Sequence, residues 1–141
     1  MSKILYIIRG LPGSGKTTLA RVLAPYYNVS ADDFMVDEEG NFCFDPERLG
    51  EVHKRCEIQV IEWMTQGHSV IAVHNTFGHL DHAKPYIDMA SRYGYTPVLL
   101  EAQGNFTSEH GVPAQTIKRM VATWDDTKTL YYERKLGSFK G

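Results

Sequence analysis

The residues with the clearest chemistry form one run, residues 10–17, which reads Gly-Leu-Pro-Gly-Ser-Gly-Lys-Thr and matches G-x-x-x-x-G-K-[ST] in full. Glycines let the backbone curl so that its N–H groups point at a phosphate, and a helix that begins there adds its positive dipole end. A lysine and a threonine suit the phosphates and the Mg²⁺ of a nucleoside triphosphate. This run, the phosphate loop, therefore predicts binding of ATP or another nucleoside triphosphate with Mg²⁺.

The polar groups of the phosphate loop have separate expected roles. Lys16 is predicted to contact the β- and γ-phosphates and to act in catalysis, and the Thr17 hydroxyl is predicted to bind the metal. The residues predicted to contact the nucleotide are Gly10, Gly13, Ser14, Gly15, Lys16, Thr17 and Thr18.

The elements around the phosphate loop alternate between strand and helix patterns. An apolar run from Lys3 to Arg9 predicts a buried strand before the loop, and a helix over 14–24 follows it. Further strands are predicted over 27–30, 69–73 and 96–102, with Pro97 favouring a sheet edge for the last. Further helices are predicted from an Asp45 N-cap to Gly67, from about 79 to 93, and from Pro113 to 124 or about 136.

Around the phosphate loop, this alternation predicts a three-layer α/β P-loop NTPase fold with a parallel sheet of about four strands. We expect one domain over residues 1–141, in which 125–141 form a C-terminal helix and tail. Trp63 and Trp124 are predicted to lie in the core.

Composition narrows the class of protein. The chain has 141 residues, of which 43% are apolar and 23% charged, as in globular proteins, and no apolar run approaches membrane-spanning length. Two cysteines are too few for a disulfide framework, and the first residues lack a signal-peptide pattern. We therefore expect a reduced, cytoplasmic protein without a membrane partner.

The net charge of −2 excludes a generally polybasic surface, but it conceals a local imbalance. Residues 1–31 carry four basic side chains and no acidic one, whereas residues 32–51 carry eight acidic side chains against Arg48. A run of acidic residues of this kind usually lies on a solvated surface.

Several motifs in order resemble the phage-type polynucleotide 5′-hydroxyl kinase domain and related small P-loop ATPases. The resemblance covers residues 3–124 and is carried by residues 7–20, by Ser30-Ala31-Asp32-Asp33-Phe34, by Asn75-Thr76 and by His110-Gly111-Val112-Pro113. It implies a four-stranded parallel sheet with helices on both faces, and transfer of the γ-phosphoryl of ATP to a hydroxyl. It also implies that Asp32 is the catalytic general base. From the residues alone, Asp32 could equally be one surface aspartate in a run of acids.

The sequence departs from the kinase pattern at positions that matter. Met35 stands where the kinases carry an arginine for the acceptor phosphate, and His74 and Phe77 replace an aspartate and an asparagine around Asn75-Thr76. Thr107 and Ser108 stand where the kinase lid has Arg-Asn. The cations considered as substitutes are Lys84, Arg92, Lys118 and Arg119.

These departures leave several functions open. A polynucleotide 5′ end is the acceptor that the resemblance favours, and a small nucleoside or nucleotide is the alternative. Two further hypotheses are a nucleotide-binding module that transfers nothing and a slow ATPase. A third is an oligomer in which a second subunit supplies the cation that the lid lacks. His74, His79 and His82 would allow a zinc site, although the interpretation we favour places His74 at the mouth of the active site and the other two on the surface.

Overall fold

A computed structural model describes residues 2–104 and 112–124. The strands are β1 (Ile4–Arg9), β2 (Asn28–Val29), β3 (Val70–Asn75) and β4 (Thr96–Glu101). The α-helices are α1 (Lys16–Leu23), α2 (Leu49–Thr65), α3 (Lys84–Arg92) and α4 (Ala114–Ala122). The strands form one sheet in the order β2-β3-β1-β4, and all the pairings are parallel. The predicted α/β P-loop NTPase fold is confirmed.

Apolar side chains on both faces of the sheet pack against helices. Leu5 and Ile7 on one face pack with the apolar stripe of α2, whose members Val52, Cys56, Val60 and Met64 recur every four residues. Ile8 faces the other way and packs with Ala20 of α1. This alternation along β1 produces the three layers, α1 below the sheet and α2 with α3 above it.

Strand β4 lies at an edge of the sheet, as Pro97 predicted. Residues 96–101 pair with β1, so the missing N–H of Pro97 costs no bond on the open side.

The bounds of several elements differ from the sequence prediction. Strand β3 continues to Asn75 because Ile8 and Arg9 of β1 offer it partners, so His74 and Asn75 belong to the sheet and not to a loop. Helix α1 begins at Lys16 rather than at residue 14. The Asp45 carboxylate caps the backbone N–H of Glu47 as predicted, but the first turn is a 3-10 turn.

Two further 3-10 turns also replace parts of predicted segments. One spans Ala31–Phe34 within the expected loop after β2, and the other spans Leu80–His82 before α3, which therefore begins at Lys84. Within the described residues no helix is both long enough and apolar enough to span a bilayer.

The two cysteines differ in their predicted reactivity. Cys56 is fully buried, and burial raises the pKa of its thiol to about 11, whereas Cys43 is exposed. Because the thiolate is the reactive form, a thiol reagent should label Cys43 in the native protein and Cys56 only after unfolding. Cys43→Ser should abolish the native labelling. Rapid native titration of two thiols would contradict this packing of α2.

Candidate functional site

The phosphate loop connects β1 to α1 in a conformation that depends on glycine. Gly13 and Gly15 have φ angles of 82° and 92°, in the left-handed region that other residues rarely adopt. A Cβ on Gly10 would lie 2.2 Å from Ser14 Oγ and 3.0 Å from the Ala102 carbonyl oxygen. The loop therefore folds tightly enough to exclude side chains at its start.

Ser14 presents a buried polar atom to this loop. Its hydroxyl is buried and has no hydrogen-bond partner among the described residues, while its carbonyl accepts from the Gly104 N–H at 2.9 Å. An orphaned hydroxyl is costly unless a ligand satisfies it, and a phosphate oxygen would do so. The residues present thus fit a phosphate group.

The start of α1 also suits an anion. Gly15 caps the helix without any side-chain hydrogen bond, and its first turn holds no acidic residue. The Lys16 ammonium donates to the Leu11 carbonyl at 3.0 Å, so the cation lies against the loop. Thr17 is half-buried and Thr18 is exposed. A hydroxyl at Thr17 is a suitable oxygen ligand for Mg²⁺.

Asp32 lies on the 3-10 turn Ala31–Phe34, the Asp32 turn, beside an aspartate with a different task. The Asp33 carboxylate accepts from the Ser30 N–H at 2.9 Å and closes a capping box with Ser30. Asp33 is therefore used to shape the turn, and the Asp32 side chain is exposed. Both acids are exposed, so the role of Asp32 as the general base stays a prediction.

Asn75, at the end of β3, connects the Asp32 turn to the phosphate loop. Its Oδ1 accepts from the Ala31 N–H at 2.9 Å, and its Nδ2 lies 3.8 Å from Cys56 Sγ. The carbonyl of the next residue, Thr76, accepts from the Gly10 N–H at 3.3 Å. The end of β3 thus contacts both the turn that carries Asp32 and the first glycine of the phosphate loop.

Helix α2 contributes side chains that sequence reasoning missed. The pKa of His53 is lowered, chiefly by burial and then by His82, while Asp32 and Glu57 act in the opposite direction. The Arg55 guanidinium lies 4.9 Å from the centre of the Phe34 ring, next to the Asp32 turn. Nothing in the local sequence signals these contacts, because they arise when α2 packs against the turn.

The positions that depart from the kinase pattern are largely interior. Met35 is 1% exposed, so that position presents no group to a substrate. His74 is also buried within β3, which corrects its expected place at the mouth of the site. Lys84 pairs with Asp81 at 2.9 Å. The lid positions Thr107 and Ser108, together with His110 and Gly111, lie outside the described residues.

The acidic segment uses several of its carboxylates locally. Besides Asp33, the Asp37 carboxylate accepts from two N–H groups of its own turn, at 2.9 and 3.0 Å. Asp45 caps a helix start, and Glu51 pairs with Arg48 at 2.9 Å. These bonds favour the interpretation of the segment as a structured, solvated surface. Over residues 2–104 and 112–124, no group of three metal-binding side chains occurs.

A cavity of about 510 Å³ opens beside the phosphate loop. Leu11 and Ser14 of the loop line one side, and Glu101, Gly104, Val121 and Trp124 line another. Trp124 is half-buried at this wall and not in the core as predicted, whereas the half-buried Trp63 packs against the core as expected. The cavity has the size of a small-molecule site.

Comparisons with known proteins identify a family and a shared fold. A family model described as an AAA domain matches residues 5–103. NEDD4-binding protein 2 of Homo sapiens is 31% identical over 134 residues, which cover 84% of this chain and 7% of that protein. The chain thus spans a small part of that relative's length.

Two solved structures share the fold. One is titled as the Pnkp1/Rnl/Hen1 RNA repair complex, with a TM-score of 0.65 and 21% identity, covering 99% of this chain and 47% of that one. The other is the Mycobacterium tuberculosis APS kinase CysC in complex with AMPPNP and APS, with a TM-score of 0.53 and 16% identity, covering 99% and 77%.

The bond from Ala31 to Asn75 should be measurable as stability. Asn75→Ala leaves the Ala31 N–H without its acceptor in a buried place, which should lower the free energy of unfolding by about 1–3 kcal/mol. Urea unfolding measures the change. Asn41→Ala, on the exposed turn, serves as the control and should change it by less than about 0.5 kcal/mol. Equal effects of the two substitutions would contradict the role given to Asn75.

Proposed function

The chain belongs to the AAA domain family whose model matches residues 5–103, and from that membership we propose that it transfers the γ-phosphoryl group of ATP to a hydroxyl acceptor. The resemblance to P-loop kinases predicted from the sequence is confirmed by the family model and by the shared fold. The acceptor and the transfer itself are parts of the proposal.

One observation carries the proposal above the others. Asn75 and Thr76, adjacent at the end of β3, hydrogen-bond to the Asp32 turn and to Gly10 of the phosphate loop. A phosphoryl donor and a carboxylate base must lie on the same side of the protein for in-line transfer, and this junction supports that arrangement. A ligand-binding edge at the carboxyl ends of parallel strands is also the rule for this fold class.

Each residue then has a defined task. The phosphate loop holds the triphosphate, with the Ser14 hydroxyl and the α1 N-terminus as donors and Lys16 as the cation. ATP supplies the phosphoryl group, and Mg²⁺ bound with Thr17 offsets phosphate charge. The Asp32 carboxylate accepts the proton of the acceptor hydroxyl. The hydroxyl oxygen of the acceptor forms a bond to the γ-phosphorus of ATP, and the bond from that phosphorus to ADP breaks.

The cavity beside the phosphate loop suits the nucleoside part of ATP. It adjoins Leu11 and Ser14 of the loop and offers an aromatic wall at Trp124. A base and ribose fill a volume of this order, and an indole provides apolar contact area.

For the acceptor we propose a polynucleotide 5′-hydroxyl end. In the acidic segment, Glu51 is paired with Arg48, and backbone N–H groups hold Asp33, Asp37 and Asp45 on their own turns, although these three carboxylates keep their charge. Arg55 supports the same choice, since it places a cation next to the Asp32 turn where Met35 offers none.

A second candidate is a nucleotide-binding module that transfers nothing or hydrolyses ATP slowly. Burial of Met35 favours this candidate. The kinases carry an arginine for the acceptor phosphate at this position, and a buried methionine supplies no cation there. A kinase that acts on a small nucleoside or nucleotide is an intermediate candidate between the polynucleotide kinase and the nucleotide-binding module. Its acceptor carries fewer phosphates than a polynucleotide, so fewer cations are needed to neutralise them.

Substitution at Asp32 should separate these functions. Asp32→Asn should lower kcat for transfer from γ-labelled ATP to 5′-hydroxyl DNA or RNA by about 10²–10⁴-fold and leave ATP binding intact, because only the base is lost. Lys16→Ala should lose both. Asp45→Asn is the matched control, since an asparagine oxygen still caps Glu47.

The outcomes distinguish the candidates. ATP binding without labelling of DNA, RNA or nucleosides would overturn the kinase proposal. Phosphate release without an acceptor, stopped by Lys16→Ala, would identify the slow ATPase. Labelling of nucleosides but not of oligonucleotides would replace the polynucleotide acceptor with a small one.

Substitution of Arg55 should weaken binding of the acceptor oligonucleotide and leave binding of ATP unchanged. If its guanidinium neutralises one phosphate of a single strand, Arg55→Ala should reduce the slope of log affinity against log salt concentration by about 0.7. Oligonucleotide binding across a series of KCl concentrations measures the slope. Arg21→Ala, on the exposed side of α1, is the control and should leave it unchanged. An unchanged slope for Arg55→Ala would remove this residue from the acceptor site.

A further inference from the structure

The Arg9 side chain is a fully buried guanidinium at the end of β1, immediately before the phosphate loop. It is 0% exposed, and a buried charge is costly unless it is paired and hydrogen-bonded. Its NH1 lies 3.4 Å from Glu101 Oε1 at the end of β4. An aliphatic residue would fill this interior position without the cost of burying a charge. Packing alone therefore does not explain why an arginine occupies it.

On one side, Arg9 holds the β3–α3 loop, residues 76–79. Its Nε donates to the Phe77 carbonyl at 3.2 Å and its NH2 donates to the Gly78 carbonyl at 3.3 Å. Phe77 has a φ of 47°, in the left-handed region that a bulky side chain rarely adopts. Such a conformation persists only where its surroundings hold it, and the Arg9 bond to its carbonyl is one of those constraints.

On the other side, Arg9 holds the wall of the cavity. Its guanidinium carbon lies 4.0 Å from the centre of the Trp124 ring, and the Trp124 Nε1–H donates to Glu101 Oε1 at 3.1 Å. Glu101 therefore contacts both side chains and fixes the indole over the guanidinium. The same indole also reaches the loop, because a Cβ on Gly78 would lie 3.9 Å from Trp124 Cε3.

We propose that Arg9 is a positioning residue that couples the cavity beside the phosphate loop to the β3–α3 loop. A nucleotide seated against Trp124 holds the indole and the Arg9 guanidinium in place, and thereby holds the Phe77 and Gly78 carbonyls. The coupling rests on the proposed function, because it requires the nucleotide to occupy this cavity. Its consequence is that donor binding orders the loop that follows Asn75, on the side of the site where the acceptor would bind.

The competing interpretation is that Arg9 merely stabilises the fold. A structural role predicts that weakening Arg9 lowers global stability and leaves the response of the loop to nucleotide unchanged. A coupling role predicts loss of that response in variants that still fold and still bind nucleotide. The two are separated by a local measurement, and transfer activity is not needed for it.

The experiment is amide hydrogen exchange of the full chain, followed by mass spectrometry of a peptide covering residues 75–80. The probe is the non-hydrolysable analogue adenosine 5′-(β,γ-imido)triphosphate with Mg²⁺, at saturating concentration. In the unsubstituted protein the probe should slow exchange of this peptide by about fivefold or more, the lower end of typical coupling between sites.

Two variants test the coupling from its two ends. Arg9→Lys keeps the charge but loses the planar fork that serves Glu101 and both carbonyls at once, and Trp124→Phe removes the Nε1–H donor. Exchange is measured for each variant at a probe concentration that saturates that variant, because Trp124 also lines the nucleotide cavity, and the slowing should fall below about twofold. Arg21→Lys is the matched control and should keep the full response. If Arg9→Lys fails to fold, as its thermal melting would reveal, Trp124→Phe at the half-buried end carries the test.

The failure of each idea has its own signature. Probe binding with an undiminished loop response in the folded variants would overturn the coupling and leave the nucleotide site standing. No binding of the probe to the unsubstituted protein would overturn the proposed function and the coupling together.

Discussion

The hydrogen bonding of β1 on both of its edges is the constraint on which the site depends. Because β3 and β4 both pair with it in parallel, the carboxyl ends of all three strands meet at the phosphate loop. Asn75 and Glu101 are consequently the residues that stand opposite Arg9 in the register. The contacts that shape the site, from the Asp32 turn to the wall at Trp124, start from these three strand ends.

The hydrogen bonds of the acidic segment explain much of the uneven charge distribution along the chain. The acidic segment after β2 owes much of its composition to turn and helix capping, in which a short carboxylate accepts from nearby N–H groups. Two cations lie near the Asp32 turn: Arg55 of α2 stacks on Phe34, and Arg48, at the end of the 3-10 turn before α2, donates to the Phe34 and Val36 carbonyls. The electrostatics of this side therefore follow from packing between elements more than from the order of charges along the chain.

Prediction from sequence succeeded for elements and failed at their ends. The fold class, the parallel sheet and the edge position of β4 follow from periodicity and Pro97, which are local properties. The end of β3 was placed too early because the pairing partners of His74 and Asn75 lie far away in β1. Trp124, which is predicted to lie in the core like Trp63, instead lies half-buried at the cavity wall, where its indole N–H has a carboxylate partner.

By itself, the sequence determined the phosphate loop and the alternation of strands and helices, because both are encoded in residue types at short spacing. Asp32 as the base is what the resemblance to the polynucleotide kinase domain implies, and it stays a prediction. Only the tertiary structure decided that Asp33 caps the turn, that Asn75 anchors it, that Met35 and His74 are interior and that Arg55 lies over Phe34 of the Asp32 turn. It alone revealed Arg9 as a buried charge between Glu101, Trp124 and the β3–α3 loop. The physical reason is that these roles depend on contacts between residues distant in the chain, which spacing along the sequence does not encode.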